Sequence, residues 1–119
     1  MSDFNLTNYK ALTKSHVAAT NYCLPISLAF HLANKHDEKL HDLAHKILNE
    51  IGYYGEVTRD FVNGFIDKDG TDIQDGRLTS LIAIALQRAN AGQRKLLEDN
   101  YGFNDDAKVD IVKQVRSDF

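Results

Sequence analysis

The chain holds one cysteine, one proline, one methionine and no tryptophan among 119 residues. A single cysteine, Cys23, excludes an internal disulfide and any thiolate-bound metal cluster. It stands in an apolar stretch and reads as a small buried side chain. With Pro25 as the lone proline, long segments run without a helix breaker, and alternating β-branched runs are scarce. Both absences point to helix throughout. There is no basic surplus: the net charge of −3 gives nothing to draw the chain to nucleic acid or to an anionic membrane. No apolar run approaches the roughly 20 residues of a membrane span. The longest, LTSLIAIAL at 78–86, fits a buried core helix. The N-terminal MSDFNLTNYK lacks the charged-then-apolar order of a secretion signal, so a cytoplasmic protein is expected.

What is present is an ordinary globular composition, 43% hydrophobic and 26% charged, which argues against disorder. The length suits a single domain spanning 1–119, or a piece of a larger one. A first helix is expected from near Asn8, with Thr7 as its N-cap, running to about Asn34. Leu12, Ala19, Tyr22, Cys23, Ile26 and Phe30 recur at roughly helical spacing, and Pro25 should kink the element. Asp37 then caps a second helix reaching about Phe65. Its apolar stripe is Leu40, Leu43, Ala44, Ile47, Leu48, Ile51, Tyr54 and Phe61. Gly52 and Gly55 inside it each cost about 1 kcal/mol against alanine, which close packing or a local bend would justify. Asp67-Lys68-Asp69-Gly70 forms a turn in which Gly70 supplies a positive φ.

A third helix, from about 76 to 88, is apolar nearly all round and should be the most buried, with Thr71, Asp72 or Asp75 capping it. Asn90 opens a short fourth helix that ends at Gly102. Asn104 or Asp105 opens a fifth, with Ala107, Val109, Val112 and Val115 on its thin apolar side. The fold class is therefore an all-α helical bundle, or part of one. Five such helices cannot hide this much apolar surface among themselves, so the chain either self-associates or belongs in a larger bundle.

Several clusters invite a chemical reading. Glu56 and Asp60, one turn apart, could hold a hard cation, although a solvated acidic face has the same pattern. His41 and His45 have zinc-pair spacing without a third ligand, His31 and His36 being off register. Asp67, Asp69 and Asp72 around Gly70 suggest a calcium loop, but the terminal bidentate glutamate is missing. Lys10 and Lys14 share a face that could attract phosphate or simply solubilise the helix.

Three segments resemble farnesyl diphosphate synthases, a branch of the trans-prenyltransferases: LPISLAFHLAN at 24–34, HDEKLHDLAHKILNEIG at 36–52, and KDGTDIQDGRLTSLIAIALQRANAGQRKLLEDNYG at 68–102. GTDIQD followed by ALQRA, QRK and an NYG end is the specific part. The resemblance implies the all-α isoprenoid-synthase fold and covers only its C-terminal part. The family's first aspartate-rich motif lies upstream, and nothing before Asp3 would supply it.

Family members hold magnesium between two carboxylate clusters, and the metal neutralises an allylic diphosphate as it leaves. The second cluster, DDxxD, falls here on Arg59-Asp60-Phe61-Val62-Asn63. The resemblance thus leaves Asp60 as the remnant metal ligand, with arginine and asparagine where the other aspartates stand. The family's lysine-threonine pair falls on His16-Val17, which makes His16 a weak remnant diphosphate contact. Lys68 matches the family lysine before GTDIQD that contacts diphosphate. Gly55 stands where members carry an aromatic residue.

Two readings follow from the resemblance. One is a degenerate relative, inactive as a prenyltransferase on its own, acting as a binding or interaction module. It would pair with itself or with a full-length synthase, or carry an isoprenoid diphosphate. The other is a part or subunit of a working magnesium-dependent synthase, with magnesium required if activity is retained.

Overall fold

The computed structural model describes residues 1–66 and 70–118. Among the described residues six α-helices and two π-helical segments follow one another, and there is no strand. They are α1 (Leu6–Leu12), a π segment (Thr13–Cys23), α2 (Leu24–Leu32), α3 (Glu38–Phe61), a second π segment (Val62–Ile66), α4 (Ser80–Arg88), α5 (Ala91–Asn100) and α6 (Asp106–Ser117). The chain divides into two compact units. One contains residues 10–58; the other contains residues 1–9 and 59–119.

In the unit of residues 10–58, helical backbone angles persist through Leu12, Cys23 and Leu24, so the run toward α2 is not broken. What changes is the hydrogen-bond register. Leu24 N–H donates to Ala19 O, a π-type i→i−5 bond, and α-helix resumes at the residue before Pro25. Pro25 sits in the first turn of α2, where a missing N–H costs nothing and its φ fits the helix. The expected kink is thus a change of register. Thr7 is not the cap of α1 either: Asn5 accepts the Asn8 N–H at 2.9 Å, and the helix starts at Leu6. At the other end of the run, α2 stops where Asn34 takes a positive φ of 52° and Lys35 N–H returns to Phe30 O.

Asp37 caps α3 as expected, accepting the N–H groups of Lys39 and Leu40. The packing within this unit uses the small and polar side of α3. A Cβ on Gly52 would lie 2.6 Å from Ala18 Cβ and 2.9 Å from its Cα, so the π segment passes directly over Gly52. Asn49 meets Cys23, His45 bonds Ser27 at 2.8 Å, and the His41 ring packs edge-on against Phe30. Gly55 is different: a Cβ there would meet only the Tyr22 hydroxyl at 3.6 Å. The apolar stripe is solvent-exposed at Leu40, Leu43, Ile47, Ile51 and Tyr54.

The unit of residues 1–9 and 59–119 has a conventional core. Ile82, Ala85 and Leu86 of α4 pack with Leu97, Tyr101, Val112 and Val115, and Phe4, Ile73 and Leu78 lie against them. α4 is the most buried helix, as its sequence predicts. It begins at Ser80 rather than 76, and its N-cap is Thr79, whose Oγ1 accepts the Ile82 N–H. Asn90 and Gln93 form a reciprocal capping box on α5. Asp105 caps α6, which buries Val109, Val112 and Val115 and leaves Ala107 exposed. Gly70 does not take the expected positive φ. A Cβ there would fall 2.5 Å from Asn63 O, so glycine is needed for a close backbone approach. Positive φ belongs instead to Gly76 and Gly102, whose backbones touch.

Candidate functional site

Residues 59–63, on which the resemblance places an acidic motif, lie where α3 passes into the second π segment. A π segment shifts the side chains that follow it relative to the α-helical face, a device common near functional positions. Asp60 is 1% exposed, and both of its carboxylate oxygens are engaged. Oδ2 accepts the Ser80 N–H at 2.7 Å, one of the orphan donors at the start of α4. Oδ1 accepts from Arg59 Nη2 at 3.2 Å in an ion pair. The carboxylate also sits at the positive end of the α4 dipole. Asp60 and Thr79 therefore cap one helix together, and the role expected of Asp72 or Asp75 falls to them.

Asn63 donates to Asp72 Oδ2 at 3.5 Å. Asp72 is also paired with Arg77, whose Nε lies 3.5 Å from Oδ1. Asp75 accepts the Thr71 hydroxyl at 2.7 Å and takes no part in capping. Tyr101 reaches the same place and donates its hydroxyl to Arg77 O at 2.6 Å. Burial pushes the Tyr101 phenol well above the usual tyrosine range. Asp72 and Asp60 add to the rise, against the opposing effects of the Thr79 hydrogen bond and the Arg77 charge. Arg116 stacks 4.2 Å from the centre of the Phe65 ring, and its partial burial lowers its pKa.

These side chains surround a cavity of about 30 Å³ lined by Asp60, Asp72, Thr79, Tyr101, Arg116 and apolar neighbours. Such a space holds about one water molecule. The two carboxylates here are paired with the guanidiniums of Arg59 and Arg77, so protein cations already balance the buried negative charge. Among the described residues no group of three or more His, Cys, Asp or Glu side chains is arranged to hold a metal ion.

The remaining sequence candidates are distributed elsewhere. His16 is exposed on the first π segment, in the unit of residues 10–58, and its carbonyl accepts the Thr20 hydroxyl. Lys68, with Asp67 and Asp69, lies outside the described residues. His41 and His45 do not form a zinc pair: His41 Nε2 bonds Lys35 O at 3.1 Å, and His45 Nε2 bonds Ser27 Oγ at 2.8 Å. Lys10 lies over the Tyr53 ring, and Lys14 pairs with Glu50 at 3.6 Å. Sequence reasoning passed over Arg77, Thr79, Tyr101 and Arg116. Thr79 was legible in principle, since a Thr-Ser pair immediately before an apolar run is a capping signal. The others come from distant turns and helices, and no local pattern announces them.

The Polyprenyl synthetase family profile matches residues 1–119. The chain is 37% identical over 120 residues to the farnesyl pyrophosphate synthase of Gallus gallus, covering 97% of this chain and 33% of that one. It is 41% identical over 110 residues to that of Mus musculus, covering 88% and 31%. Among solved structures it superposes on the farnesyl pyrophosphate synthase of T. brucei with a TM-score of 0.88 at 26% identity, covering 98% of this chain and 38% of that one. The chain spans about a third of the length of the curated relatives it matches. Motif, helical architecture and profile agree, and the chain belongs to the polyprenyl synthetase family.

Proposed function

We propose that this chain is an interaction module derived from a polyprenyl synthetase, without prenyltransferase activity of its own. One observation carries the reading: both carboxylate oxygens of Asp60 are committed, one to Ser80 N–H and one to Arg59. A divalent cation needs several free oxygen ligands, and in a synthase it bridges protein carboxylates to diphosphate. Here the neighbouring motif positions offer a guanidinium and an amide, and Asp72 is held by Arg77 and Asn63. The donor set does not fit magnesium. The 30 Å³ cavity beside Asp60 is also far too small for an isoprenoid diphosphate.

The test combines calorimetric titration of magnesium and risedronate, a ligand carried by a related T. brucei structure, with an assay of isopentenyl and allylic diphosphate condensation. The expected result is neither heat of binding nor product. Magnesium-dependent condensation by the purified chain would overturn the proposal. A second reading is supported by the close superposition on only part of a longer synthase: the chain is a part or subunit of a working enzyme. That reading predicts activity on mixing with a chain that carries the first aspartate motif, and Lys68 as its diphosphate contact.

A further inference from the structure

The turn between α2 and α3 gathers three of the chain's five histidines. α2 ends at Leu32, Asn34 reverses the chain with a φ of 52°, and α3 opens at Glu38. His31, in the last turn of α2, is thereby set beside His36 of the connection and His41 in the first turn of α3. The His31 ring centre lies 5.5 Å from that of His36 and 5.7 Å from that of His41. Spacing along the helix groups His41 with His45, but the fold commits His45 to Ser27. Every residue the cluster needs falls within 30–41, inside the single unit of residues 10–58.

Two imidazoles that share a tetrahedral zinc ion, each nitrogen about 2.1 Å from it, have ring centres about 5–5.5 Å apart. The two spacings here stand at or just beyond the top of that range. His41 is already held as a ligand would be. Its Nε2 bonds Lys35 O at 3.1 Å. A carbonyl only accepts, so Nε2 carries the proton and Nδ1 of the neutral ring keeps its lone pair. Metal-bound histidines are commonly fixed in this way, the other nitrogen donating to a backbone carbonyl. Phe30 packs edge-on against the same ring, with centres 4.8 Å apart. Among the described residues no three such groups yet converge on one point. His31 and His36 are exposed, however, so no packing opposes a change of rotamer that brings them to His41. The C-terminal end of α2, where His31 stands, is the negative end of a helix dipole and favours a cation.

We propose that His31, His36 and His41 form a site for one divalent transition-metal ion of the zinc type, which locks the turn and ties α2 to α3. Three neutral imidazole nitrogens suit zinc, copper or nickel and not magnesium or calcium. The ion therefore differs in kind from the one that the acidic motif of a synthase would hold. Three ligands leave the fourth tetrahedral position to water. The proposal goes beyond the interaction-module reading and does not depend on it.

The probe is zinc alone, added to the purified metal-free chain in a non-chelating buffer and followed by calorimetry. One equivalent should bind per chain, saturably. Losing a group that merely orients a ligand costs about tenfold or more in metal affinity, so His31→Ala and His36→Ala should each weaken binding at least that much. Both side chains are exposed, so the helical circular dichroism of these variants should match that of the parent. His45→Ala should bind zinc as the parent does. In nitrogen NMR the ring signals of His31, His36 and His41 should shift together on addition of zinc. The urea midpoint of the parent should rise with zinc, and that of His31→Ala should not. Absence of saturable uptake, or an equal loss of affinity in His45→Ala, would overturn the proposal. Uptake indifferent to His31→Ala and His36→Ala would also overturn it and mark an adventitious ion only. None of these readouts involves prenyl transfer or magnesium, so failure of the zinc site and failure of the inactivity reading are separable.

Discussion

Asp60→Ala separates a structural carboxylate from a metal ligand. In the folded chain Asp60 supplies an acceptor for the Ser80 N–H at the buried start of α4 and a partner for Arg59. Removing it strands a buried backbone donor, which costs about 1–3 kcal/mol. It also removes an ion pair to an arginine that is 37% exposed, a contribution of about 1 kcal/mol at most. Loss of a favourable charge at the α4 N-terminus adds about 0.5 kcal/mol. A total near 3 kcal/mol corresponds to about a 10 °C fall in Tm for a chain of this size, or to about 2 M in the urea midpoint. Asp60→Asn keeps an oxygen for Ser80 and should lose about half as much. The assay is urea unfolding followed by far-UV circular dichroism, with and without millimolar magnesium. A metal-ligand role predicts the opposite pattern, because functional carboxylates are commonly held at a cost to stability. A variant as stable as the parent, or a parent stabilised by magnesium when the variant is not, would refute the capping argument.

The two glycines inside α3 should respond in opposite directions. Gly52→Ala drives a methyl group into the Ala18 backbone and should destabilise by about 1–3 kcal/mol despite better helix propensity. Gly55→Ala has only the Tyr22 hydroxyl nearby and should stabilise by about 0.5–1 kcal/mol, read in the same urea assay. Tyr101 supplies a pH test. Burial raises its folded pKa above the unfolded value of about 10. The contribution of the neutral phenol is therefore fully present below about pH 10 and is lost as pH climbs beyond it. Tyr101→Phe should be less stable at pH 8, having lost the hydrogen bond to Arg77 O, yet should show a shallower alkaline decline. Equal declines in the two proteins would remove Tyr101 as the cause.

The helical class, the caps at Asp37, Asn90 and Asp105, and the buried character of α4 were legible because each depends on a few adjacent residues. The first helical run was misread for a definable reason. Its buried residues, Tyr9, Thr13, Ala18 and Cys23, recur at intervals of four, five and five. That is the rhythm of i→i+5 hydrogen bonding, and a search at 3.6 residues per turn picks Leu12 and Ile26 instead, both of which are exposed. The apolar stripe of α3 was legible as a pattern, but periodicity marks a face and does not say what covers it. The sequence also signalled that too much apolar surface was present. Much of it is exposed on α3, at Leu40, Leu43, Ile47, Ile51 and Tyr54, and on α2, at Leu24, Leu28 and Leu32. At the site, the residues at 59, 60 and 63 could be singled out from the sequence, but the capping role of Asp60 could not. Ser80 is twenty residues away, and only the fold brings its N–H to the carboxylate.

GTDIQD is the most family-like segment of the chain, and its preservation has a packing explanation that does not require catalysis. Thr71 and Asp75 close a side-chain bond across the turn, and Asp72 fixes Arg77 through an ion pair. Ile73 O accepts the N–H groups of both Gly76 and Gly102. The two glycines touch in positive-φ conformations that other residues rarely adopt, with a Cβ on Gly76 falling 3.0 Å from Gly102 Cα. This lock ties the turn before α4 to the turn after α5 and brings Tyr101 onto Arg77 O. A substitution in GTDIQD would therefore be opposed by folding alone, and Arg59 and Asn63 join the same arrangement through Asp60 and Asp72. Folding alone therefore gives GTDIQD and the residues bonded to it a role in this chain.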